Sequence, residues 1–208
     1  MVELLAVISI ATVFLVMGAS LMQATGKGES RQAVRNLVTG NFNFARTRAI
    51  SFGEPVAVVM IPYEEGVDGD RGKAMTVYSV RYDEASGSYE ANEQLRRWTK
   101  LPGRMIFSKA SPVSSGGDNA FDQPAVVAVN IRVEGHKDMR QVTAPAVIFG
   151  ETGAVEWPGG SGQLELHLGE GSVQGGVAVG SASIEDWTKN EVFVIGRQTG
   201  RVRYLRTK

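Results

Sequence analysis

The sequence predicts an α+β chain. A long N-terminal helix, transmembrane over its first half, leads into an antiparallel β-rich globular head with two packed layers. Three observations lead there. Residues 4–23 (LLAVISIATVFLVMGASLMQ) carry no charge. Residues 29–52 repeat apolar side chains at helical spacing. After Gly53 the chain breaks into short β-branched runs separated by Gly, Asn, Asp and Ser clusters. The boundaries are therefore 1–28 for the hydrophobic helix, 29–52 for an amphipathic helix packed on the head, and 53–208 for the head.

The apolar span comes first. At about 1.5 Å per residue, twenty helical residues reach about 30 Å, the hydrocarbon thickness of a bilayer. Its polar members, Ser9, Thr12, Ser20 and Gln23, are tolerated in a membrane helix. A cleaved secretory signal would have a basic start and a shorter apolar core. Only Met1, Val2 and Glu3 precede the span. A buried helix of a soluble domain is the remaining alternative.

Thr25-Gly26-Lys27-Gly28 then weakens the helix locally. Beyond it, Val34, Val38, Phe42, Ala45, Ala49 and Phe52 are spaced to share one face. Arg31, Arg35, Arg46 and Arg48 fall mostly off that face, and Gly40 interrupts an otherwise good helix former. The pattern predicts a helix clamped to the globular part.

In the head, PVAVVMI at 55–61 reads as a strand bounded by Pro. Further strands are predicted over 74–82, 104–107, 125–133, 146–149, 163–168, 192–195 and 202–205. Several alternate apolar with polar residues, as in LELHL and VRYL. Residues 64–73, 111–121 and 169–180 read as exposed loops. Gly supplies 25 of 208 residues, above the usual ~7%, in keeping with many turns.

Composition narrows the chemistry. Lys and Arg number 22 and so do Asp and Glu, giving zero net charge. Attraction of the whole chain to nucleic acid or anionic lipid is excluded, which leaves only local patches. The absence of Cys excludes disulfides, thiolate metal sites and a Cys nucleophile. With two His, His136 in EGHKD and His167 in LELHL, no transition-metal cage is expected. No GxSxG, GxxxxGK[ST] or GxGxxG motif is present, so GGSG and QGGVAVG read as turns. Asp68-Gly69-Asp70 reads as a solvated turn rather than a calcium loop. The chain is not expected to be an enzyme or to hold a cofactor or metal.

One local patch stands out. Arg197, Arg201, Arg203, Arg206 and Lys208 crowd RQTGRVRYLRTK without an acid. Tyr204 adds an aromatic face on which a base would stack. The patch reads either as the outward face of a final strand or as a nucleic-acid contact.

The first ten residues, MVELLAVISI, resemble the start of mature type IV pilins and type II secretion pseudopilins. In that alignment Glu3 matches the family's glutamate, which meets the terminal ammonium of a neighbouring subunit entering the filament. A carboxylate at an apolar span is costly and calls for such a partner. Asn43-Phe44-Ala45-Arg46-Thr47-Arg48-Ala49-Ile50 with Gly53, Pro55 and Val56 is similar to the helix–head junction of the GspH/FimT minor pilins. Val147-Ile148-Phe149 with Gly153, and Thr199-Gly200-Arg201-Val202, are similar to that group's later segments. The resemblance implies a single-pass inner-membrane subunit with its head in the periplasm. Its implied partners are other pilin or pseudopilin subunits, a prepilin peptidase and the inner-membrane assembly machinery. Two rival readings are a DNA-binding minor pilin acting in DNA uptake and an unrelated single-pass anchored β domain.

Charge placement adds one expectation. Lys27, Arg31 and Arg35 follow the apolar span, whereas the cytoplasmic flank should be the basic one. A basic leader encoded upstream of Met1, ending in Gly and followed by Phe or another apolar residue, would restore the bias for a periplasmic head.

Overall fold

A computed structural model describes residues 29–66, 69–133, 137–180 and 190–205. The apolar span at 4–23 lies outside the described residues. Among the described residues no helix is long and apolar enough to cross a membrane. The chain is α+β, with one N-terminal helix and a β-rich head.

Helix α1 runs over residues 29–52. Val34, Val38, Phe42, Ala45 and Ala49 are wholly buried, so one stripe of the helix faces the core, as the spacing predicts. Phe52 departs from the prediction and is 61% exposed. The helix ends beneath it: Gly53, at φ 62°, donates its N–H to Ala49 O at 2.9 Å. A residue in that left-handed conformation closes a helix, and Gly adopts it without a Cβ penalty. Pro55 follows and bars continuation.

Among the described residues fourteen strands follow: β1 (Val56–Met60), β2 (Ala74–Asp83), β3 (Ser88–Gln94), β4 (Thr99–Lys100), β5 (Met105–Ser108), β6 (Asp118–Asn119) and β7 (Val127–Arg132) come first. Then come β8 (Met139–Ala144), β9 (Ala146–Phe149), β10 (Val155–Trp157), β11 (Leu164–Gln174), β12 (Val177–Gly180), β13 (Glu191–Ile195) and β14 (Val202–Leu205). The first sheet has the order β10-β9-β1-β2-β3-β7-β8, with β4 added on β2. The second has the order β12-β11-β13-β14, with β5 and β6 also on β11.

The first sheet curls. Only Pro145 separates β8 from β9, yet β8 pairs with β7 and β9 pairs with β1. The bend at Pro145 therefore returns the far end of the sheet to its beginning. Pro cannot donate to a ladder, but its carbonyl accepts from Met60 N at 3.0 Å. Alternation divides β1 between two cores. Ala57 and Val59 point into the curl with Val80, Val129, Val142 and Ile148. Val56, Val58 and Met60 point the other way, into a core shared by α1 and the second sheet. Burial on both faces explains why β1 reads VAVVM without polar alternation.

Three expectations need correction. The head is not purely antiparallel, because β3 pairs with β7 and β6 with β11 in parallel. Residues 169–180 are not an exposed loop. They continue β11 and turn at Gly175 and Gly176 into β12, so in QGGVAVG only the Gly pair is turn and the other residues are strand. Residues 111–121 include β6 and the buried Ala120 and Phe121, and thus belong in part to the core. The strands β3, β4, β6, β8, β10 and β12 were not predicted. Most are polar or very short, as in SYEANEQ; β12 is the apolar VAVG, hidden by the Gly pair before it, which reads as a turn.

Candidate assembly surface

Opposite its core stripe, α1 presents Gln32, Asn36, Gly40, Asn43, Thr47 and Ser51, spaced four, four, three, four and four. All are exposed except Gly40, which is half-buried. Ala33 and Ile50 flank them. The stripe extends about 28 Å at ~1.5 Å per residue and carries no charge. Its side chains are short, and an atom added at Gly40 would meet nothing within 4 Å. Gln32 Nε2 donates to Asn36 Oδ1 at 3.0 Å along it.

The four arginines of α1 turn to the flanks, three of them onto the head and Arg48 onto the helix's own end. Arg35 donates from Nε to Glu191 Oε2 at 3.0 Å and from Nη2 to the Tyr204 hydroxyl at 2.8 Å. Arg31 reaches Glu170 at 3.2 Å and Glu191 at 3.6 Å. Arg46 donates from Nε to Thr199 O at 2.6 Å. Arg48 lies over the Phe52 ring, 3.2 Å from its centroid, and 3.6 Å from Glu54. The Glu191 side chain is only 5% exposed. Its hydrogen bond, against the partial cost of burying the guanidinium, leaves the Arg35 pKa raised. Where the C-terminal end of α1 passes β3, a cleft of about 420 Å³ opens between Phe44, Thr47, Phe52 and Leu95, with Glu93 and Arg48 at its rim.

The residues singled out from sequence do not converge. Glu3, Arg206, Lys208, His136 and Asp68 lie outside the described residues. Arg201 and Arg203 are exposed on the last turn and strand. Arg197 points inward instead. Its Nε donates to Gly162 O at 2.8 Å, and its other nitrogens bind Pro158 O and the Asp118 carboxylate. Tyr204 is also engaged, with the Arg35 guanidinium 4.0 Å above its ring and Phe193 edge-on to it. That aromatic face is covered, which corrects its reading as a free stacking platform. Asp70 pairs with Lys100 at 2.6 Å, and no group of potential metal ligands occurs among the described residues.

His167 lies in a strand, as one of its readings had it, and is fully buried. Its Nε2 is 2.8 Å from Glu165 Oε2, and both side chains are sealed from solvent. Glu165 was missed, although residues two apart on a strand share a face. Its carboxylate accepts from Val113 N, Ser114 N and Ser114 Oγ at 2.6–3.0 Å. Burial pushes the Glu165 pKa up, but the Ser114, Val113 and His167 hydrogen bonds outweigh it and hold the group below its usual range. Burial holds His167 below its ordinary value, opposed in part by Glu165. A sealed pair tying a loop to a sheet is an anchor, with no path for a solute.

No protein-family model matches this sequence, and no curated protein matches it. Among solved structures, the chain is similar to a type IV minor pilin of Pseudomonas aeruginosa, FimU. The two share 14% identity over 88% of this chain and 92% of that one, with a TM-score of 0.46.

Proposed function

We propose that this chain is a pilin-type filament subunit, a minor pilin or pseudopilin, that assembles through its N-terminal helix. The observation that carries the reading is the outer stripe of α1. A helix face meant for water usually mixes charged residues with polar ones. Here Arg31, Arg35 and Arg46 reach the head, Arg48 folds onto Phe52 and Glu54, and a strip of Gln, Asn, Gly, Thr and Ser is left outward. Small uncharged side chains let a second helix approach closely and offer hydrogen bonds across the contact. In sequence the stripe follows the uncharged residues 4–23, a composition that would suit a lipid bilayer before assembly and neighbouring helices afterwards. In this proposal the subunit sits in the inner membrane with its head in the periplasm. Glu3 would pair with a neighbour's terminal ammonium. Catalysis would belong to partners, a peptidase that removes a leader and the assembly machinery, in either a secretion system or a pilus.

The test uses the absence of native Cys. Asn43→Cys and, on the head, Arg132→Cys are introduced singly into the full chain in its own membrane, labelled with a benzophenone maleimide and irradiated, so that the probe inserts into a C–H bond of whatever subunit lies against it. The proposal expects covalent adducts with other subunits at Asn43→Cys and none at Arg132→Cys. Equal yields at the two sites would remove the stripe as the contact. Glu3→Ala should lower incorporation into assemblies while the melting temperature of the head stays unchanged.

A further inference from the structure

Three segments far apart in the chain meet at one point: the C-terminal half of α1, the β9–β10 turn and the β13–β14 turn. Arg46 Nε donates to Thr199 O at 2.6 Å. Gly153, at φ 78°, lies under the helix. A Cβ there would stand 2.6 Å from Ile50 Cδ1 and 3.3 Å from Arg46 Cγ. Gly200, at φ 61°, seats on Gly153. A Cβ there would stand 2.0 Å from Gly153 O and 3.0 Å from both Phe149 Cε1 and Arg46 Cδ. Val155 N donates to Arg197 O at 2.7 Å, tying the two turns together across the sheets. Beneath them Phe149 meets Phe42 of α1 edge-on, with centroids 6.1 Å apart. Segments 43–50, 147–153 and 199–202, which were separate in the sequence comparison, are thus one contact.

We propose that this contact is a coupling joint. Arg46, Gly153 and Gly200 bind α1 to both sheets at once, so that its C-terminal half does not leave the head unless both turns open. Apolar packing alone would let a helix edge lift locally, because it is non-directional and fades gradually with separation. A backbone-to-guanidinium bond over two interlocked turns has no such intermediate. Load or binding at the helix is then carried to both sheets as one body. The coupling is a property of the folded chain and holds whatever occupies the outer stripe.

Hydrogen exchange of the full chain, kept in mild detergent, tests it. In the wild type the amides of residues 42–52 should exchange at the same opening free energy as those of β1 and β2. Gly200→Ala should accelerate residues 42–52 at least ~10-fold relative to β1 and β2, a sub-global opening that a uniform loss of stability does not produce. Arg46→Ala, which adds no clash, should act in the same direction and serves if Gly200→Ala does not fold. Arg132→Ala, exposed at the end of β7 and away from the joint, should leave the ratio unchanged. Equal acceleration of helix and sheets in Arg46→Ala would overturn the joint. So would a wild-type helix that already opens ~10-fold more readily than the sheets.

Discussion

Acidification should weaken this head in two steps, and the first belongs to His167. Its ring is fully buried beside Glu165, and burial holds its pKa below the ordinary 6.5. The unfolded chain therefore takes a proton near pH 6.5 that the native state refuses. A group depressed in the native state contributes stability that is present above its unfolded pKa and lost as pH falls. In that window one refused proton costs about 1.4 kcal/mol per pH unit. Between pH 7 and 5.5 the loss reaches up to about 1.4 kcal/mol, or about 0.5–1 M in urea midpoint for a head of this size. Glu165, also held low, adds a second loss below its ordinary 4.5. Urea titrations at half-unit pH steps measure both. In His167→Gln the decline between pH 7 and 5.5 should vanish while the lower step remains. A flat wild-type profile over that range, or an unchanged decline in the variant, would refute the reasoning.

The remaining predictions concern the helix and the basic tail. Arg35→Met should cost about 2–3 kcal/mol in urea unfolding, because the nearly buried Glu191 loses its nearest cation and keeps the more distant Arg31; a cost under ~0.5 kcal/mol would contradict it. Gly40→Ala should gain about 0.5–1 kcal/mol, since the added methyl meets nothing and the helix propensity improves; a fall in melting temperature would show that the site is not open. Arg201→Gln with Arg203→Gln should leave stability within about 0.5 kcal/mol, whereas Arg197→Gln should cost about 2 kcal/mol by releasing 158–162 and Asp118. Equal effects of the two would mean that the tail acts as a single surface.

The order of elements was legible in the sequence because helix and strand faces are written in local periods. Val34, Val38, Phe42, Ala45 and Ala49 announce their face by spacing alone. VAVVM, LELHL and VRYL announce strands by β-branching or alternation. Phe52 fit the helical period and still ended in solvent, since periodicity does not see where Gly53 stops the helix. The outer stripe was open to reading too, as the complement of the core stripe, had the arginines been assigned to the flanks.

What the sequence by itself determined is the α+β composition, the helix-first order and the faces that turn inward, all set by neighbours within a few residues. Only the tertiary structure decided the rest. Curling at Pro145, parallel pairing of β3 with β7, burial of Glu165 with His167, and inward capture of Arg197 depend on partners tens of residues away. So does the meeting of Arg46, Gly153 and Gly200. A side chain's chemistry is local, but whether an arginine meets water, a carbonyl or a carboxylate is fixed by which distant strand the chain brings beside it.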